Sequence, residues 1–145
     1  MKEIIKQLYD HQLDLSLIGA QLEEKALRLD CPLLIEAELR SHSRNFLLAA
    51  SNIKYELFML EQNPLVSQEN VRPDSENIED FHNSLSSIER LLFQTLKQYV
   101  DLLVAVEEKR KSEAVKALVK EVWEQVATNY QLFKKAMGTM EKQLA

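Results

Sequence analysis

With 145 residues the chain is long enough to form one domain with its own core, and its single cysteine excludes an internal disulfide and a cysteine-built zinc site. Two glycines and three prolines are too few for the many turns of a β-rich fold, and the composition favours helix formers. A net charge of -5 with both signs interspersed lacks the clustered basic face that phosphate backbones attract, so no nucleic-acid partner is expected.

The first segment, roughly residues 2–29, carries leucine at every seventh position: Leu8, Leu15, Leu22 and Leu29. Ile4 or Ile5, Ile18 and Ala26 fill the half-steps, which places one apolar stripe on a helix. The N-terminal Met-Lys-Glu-Ile-Ile-Lys-Gln sets charges where a signal peptide has its apolar stretch. The heptad resembles a leucine zipper, but only seven residues precede Leu8 and they form no basic region. The stripe is therefore assigned to a bundle core.

A corner follows at Asp30-Cys31-Pro32, where proline ends one helix and opens the next. Cys31 reads as a small apolar residue in a reducing compartment, its local neighbour being an acid rather than a base. The second segment, roughly 32–62, is expected to start under an Asp30 cap. Its stripe is Ile35, Leu39, His42, Phe46, Ala49, Ile53, Leu57 and Leu60. Pro64 and Pro73 then bracket a polar stretch without helical period, which reads as a loop.

The third segment, roughly 75–110, repeats in unbroken steps of three and four: Ile78, Phe81, Leu85, Ile88, Leu92, Thr95, Tyr99, Leu102 and Val106. Acids crowd its start and Lys109-Arg110-Lys111 close it, as the helix dipole favours. The fourth, roughly 113–143, bears Val119, Trp123, Val126, Tyr130, Phe133, Met137, Met140 and Leu144. From Val106 to Val119 is thirteen steps, about 3.6 turns, so one continuous helix would aim the two stripes in different directions. A tight corner is expected at 108–113, with Ser112 as a cap. The longest apolar runs, Phe46–Ala50 and Leu102–Val106, hold five residues each, against about 20 for a membrane span. The whole chain is thus expected to be all-α, a single antiparallel four-helix bundle of up-down order over 1–145, without a membrane span and cytoplasmic.

Three kinds of chemistry can be weighed on this frame. In an up-down bundle, His11, Glu56, Glu79 and His82 fall in one zone, with Glu79 and His82 in the order Glu-x-x-His. That set resembles a carboxylate–histidine site of the ferritin-like type, which implies a metal-binding bundle. A ferritin-like di-metal site takes two such units and this chain has one, and a haemerythrin-like site takes more histidines than the three present. His42, flanked by Arg40 and Arg44, is loosely similar to a histidine phosphotransfer box, which has Lys and Gly where this chain has Asn45 and Phe46. Glu121–Glu124 and Glu76–Glu79 have the Glu-x-x-Glu spacing of magnesium-dependent pyrophosphohydrolase bundles, without the Glu-x-x-Asp that accompanies it. No phosphate-cradling glycine loop or nucleophile elbow occurs. No metal, cofactor or enzymatic activity is expected.

What remains is apolar surface. Phe93, Leu96, Val100 and Leu103 or Val104 form a second file on the third helix, rotated about 100° from the first. A bundle helix usually leaves a wide polar face, so the file points either to a partner or to a central place in the core. The expectation is a non-enzymatic interaction or regulatory module that binds a protein partner or itself, as a homodimer through the third helix.

Overall fold

A computed structural model describes residues 1–68, 71–108 and 112–144, with side chains given except at 107 and 108. The described chain is all-α: α1 (Lys2–Arg28), α2 (Leu33–Gln62), α3 (Pro64–Ser67), α4 (Ser75–Glu108) and α5 (Glu113–Leu144). The four long helices match the expected segments to within two residues at each end. Leu8, Leu15 and Leu22 of α1 are fully buried, and each such burial contributes about 2 kcal/mol before entropy costs. Leu29 leaves the helix as an extended residue, because Pro32 and the constraint it puts on Cys31 forbid another turn.

The second helix departs from expectation at its start. Asp30 does not cap it; Pro32 takes that position, and its carbonyl accepts from the Ile35 and Glu36 amides at 3.0 and 3.1 Å. With Pro32 at the boundary, Asp30 lies outside the position from which a side chain reaches the first free N–H groups. The stretch between α2 and α4 also differs from a plain polar loop, since it holds the one-turn α3 with Leu65 and Val66 buried. Its organiser is Asn63. The residue before a proline is driven extended, so α2 must stop there, and the Asn63 side chain then caps α3 by accepting from the Leu65 amide at 3.0 Å.

Side chains cap both α4 and α5, and at α5 the cap is the expected Ser112. Asp74 accepts from the Asn77 amide at 2.7 Å, and Ser112 Oγ accepts from the Val115 amide at 3.2 Å. The corner expected at 108–113 falls largely on 109–111, outside the described residues. On either side of it α4 ends at Glu108 and α5 begins at Glu113.

Four seams join the long helices: α1 with α2, α2 with α4, α4 with α5, and α5 with α1. Contacts across each run in opposite directions along the two chains. Gln12 meets Ala50 while Gly19 meets Ser43; Tyr99 meets Phe46 while Asn77 meets Asn63; Tyr99 meets Val119 while Glu89 meets Lys134; His11 meets Phe133 while Lys25 meets Glu121. These pairings agree with an antiparallel bundle in up-down order, with the 63–75 connection passing between neighbours. One apolar cluster runs through it, and Cys31 packs against its edge.

Candidate functional site

The helices that carry His11 and His82, α1 and α4, do not share one of the four seams. His11 is half-buried and meets Phe133 of α5 edge-on, ring centroids 5.6 Å apart. Lys134, the next residue, pairs with Glu89 of α4 at 4.0 Å. His11 is therefore level with Glu89, not with His82, which lies seven residues away, about 10 Å along the axis. Glu79 and His82 are exposed on α4, whereas Glu56 lines the α2–α4 groove beside Asp80. Among the described residues no three His, Cys, Asp or Glu side chains gather as metal ligands. The four candidates His11, Glu56, Glu79 and His82 do not converge, because the antiparallel register set by α5 offsets their levels.

His42 sits in the α2–α4 seam, half-buried and edge-on to Tyr99 with centroids 5.7 Å apart. Burial lowers its pKa, and the nearby Glu38 and Asp101 carboxylates partly oppose that. Of its two basic neighbours, Arg40 turns toward Glu23 of α1 at 3.5 Å, and Arg44 is exposed.

The second file of α4 divides. Leu96 and Leu103 pack against the core, and Val100 is half-buried. Phe93 and Val104 remain in solvent at 54% and 48% exposure. A helix at the corner of a four-sided bundle touches two neighbours, so its apolar arc is wider than one stripe, and the α4 file is largely the flank that faces α5.

Half of the exposed large hydrophobic residues among those described lie on α2. Leu48 and Tyr55 are each 62% exposed, and Phe58 and Met59 stand beside them. At 100° per residue, Leu48, Tyr55 and Met59 share one line directly opposite the buried stripe of Leu39, Phe46, Ile53 and Leu57. Arg44 is the one charge near that line between Ser41 and Gln62; Lys54, Glu56 and Glu61 fall on the flanks. The heptad step from Leu48 to Tyr55 was present in the sequence. It is masked by the stronger stripe on the other side of the same helix.

Grooves also lie between neighbouring helices. One, of about 470 Å³ between α2 and α4, runs beneath Tyr55 and Met59 and is otherwise lined by Pro64 and polar side chains. Another, of about 510 Å³ between α1 and α5, is lined by Asp14, Leu17, Ile18, Gln21, Glu121, Glu124, Gln125, Thr128, Asn129 and Leu132. Asn129 is only 4% exposed; its Nδ2 donates to the His11 carbonyl at 2.9 Å, while its Oδ1 is buried without a partner.

No family model, curated protein or solved structure matches the chain. None of the described helices is long and apolar enough to cross a membrane. The exposed leucines and aromatics sit on faces of a bundle whose own core is already closed.

Proposed function

We propose that the chain is a non-enzymatic helical interaction module that pairs with a second copy of itself. One observation carries this reading: the outward line of α2, with Leu48, Tyr55 and Met59 in solvent and Arg44 as its single charge. A two-fold axis at right angles to α2 makes that line complementary to itself, as an isologous interface requires. With the axis between Ser51 and Asn52, Leu48 faces Tyr55 of the second copy, and the small side chains at the crossing let the helices approach closely. Arg44 then comes opposite Met59 of the second copy, with Phe58 beside it to supply a ring face.

A single pair of helices buries less than the roughly 1,600 Å² of a standard interface, so the dimer is reversible with a Kd in the micromolar range, about 10⁻⁶ to 10⁻⁴ M. Sedimentation across that range tests it. Leu48→Glu and Tyr55→Glu are expected to yield monomer with unchanged helicity. If Phe93→Glu alone yields monomer, the contact belongs to α4. A parent chain that stays monomeric throughout removes self-association.

A further inference from the structure

The α1–α5 groove lies on a different face from the outward line of α2, and its chemistry is one-sided. Asp14, Glu121 and Glu124 line it together with Leu17 and Leu132, and no lysine, arginine or histidine does so among the described residues. Lys25 engages Glu121 at 2.8 Å at one end, which leaves Asp14 and Glu124 without an ion pair among the described residues. Asn129 adds an acceptor. Its Nδ2 is spent on the His11 carbonyl, so the amide orientation is fixed and the buried Oδ1 is the atom that lacks a donor. Such an acceptor costs free energy when buried unpaired, and the donor that best relieves it beside carboxylates is a cation.

We propose that this groove receives a basic amphipathic helix of a partner protein, its lysine or arginine side chains reaching Asn129, Asp14 and Glu124 and its leucines resting on Leu17 and Leu132. The antiparallel register of α1 and α5 sets the geometry. Leu132 is nearest Asp14 at one end, and Glu121 is nearest Lys25 at the other. From Asp14 to Lys25 the groove runs about 16 Å, which fits about three helical turns. The occupant therefore presents leucine to Leu17 and Leu132 and lysine or arginine to Asp14, Asn129 and Glu124 along those turns, Glu121 being held already by Lys25. This deepens the interaction-module reading by naming a second partner class, and it rests on that reading only in being a protein contact.

The probe is a fluorescent synthetic helix about three turns long, of leucine and lysine in that arrangement, titrated into the full chain and followed by anisotropy. Saturable binding is expected with a Kd of the order of 10 µM, weakened at least about tenfold by Glu124→Lys. Glu141→Lys, the same charge change on the α4 side of α5, is expected to alter it by less than about twofold. Equal weakening by both variants would reduce the effect to net charge and overturn the proposal. So would equal binding of a scrambled peptide, or full displacement by millimolar spermidine. Loss of peptide binding in a chain that still dimerises sinks this inference alone; a monomer that binds the peptide sinks the self-pairing alone.

Discussion

Gly19 and Gly138 sit in helix interiors where glycine is intrinsically unfavourable, yet their surroundings differ. A Cβ on Gly19 would lie 3.1 Å from Phe46 Cβ, from Leu47 Cγ and from the Ser43 carbonyl, two of which are fixed close to the backbone of α2. Ser43 Oγ donates to the Gly19 carbonyl at 2.6 Å, so the two helices are held at that distance. Gly19→Val should cost about 1–3 kcal/mol in chemical denaturation. Gly138 has nothing within 4 Å of such a Cβ, and Gly138→Ala should gain about 0.5–1 kcal/mol by the same measurement. His42 supplies a pH signature. Its folded pKa lies below its ordinary value of about 6.5 because burial disfavours the charged ring. The unfolded chain thus binds the proton more readily, so the stability from the neutral ring is complete above about pH 6.5 and is lost as pH falls below it through the lower folded pKa. Urea midpoints between pH 7.5 and 5 should fall in the parent, and less so in His42→Gln.

At the scale of the element, the connection from α2 to α4 depends on one side chain. Asn63 is buried, caps α3 through its oxygen, and donates through Nδ2 to the Asn77 carbonyl at 2.9 Å in the first turn of α4. Asn63→Ala removes both bonds and leaves the Leu65 amide without its cap. A loss of about 1–3 kcal/mol is expected in thermal or urea unfolding, larger than a surface cap deletion. Ser112→Ala, at the exposed start of α5, is the comparison and should cost about 0.5–1 kcal/mol.

Across the whole molecule, every seam contains a buried or part-buried side chain that donates to a backbone carbonyl of the facing helix. Ser43 and Gln12 do so between α1 and α2, Asn63 between α2 and α4, Tyr99 between α4 and α5, and Asn129 between α5 and α1. Apolar stripes alone let helices slide by a turn; a donor aimed at one carbonyl does not. The exposed ion pairs, such as Lys25 with Glu121, add little, and Lys25→Ala should change stability by less than about 1 kcal/mol. Because a single apolar cluster joins all four long helices, loss of helix and loss of the Tyr99–Trp123 stack should coincide. Circular dichroism and the fluorescence of Trp123 check this in one denaturant series.

The sequence by itself determined the helices and their buried faces, because a 3.6-residue rhythm of leucine, isoleucine and phenylalanine is a local property of the chain. It also carried the cap at Ser112, which acts within one turn. Which helices touch, and at what level, was decided by tertiary structure. Counting residues from the first corner placed His11 level with His82, whereas the contacts of Phe133 and Lys134 place it level with Glu89. The same holds for the surface: the α4 file and the Leu48–Tyr55 line look alike as strings of letters. Only the position of α5 against one and of solvent against the other separates a core flank from a face left open, since burial is set by neighbours distant in the chain.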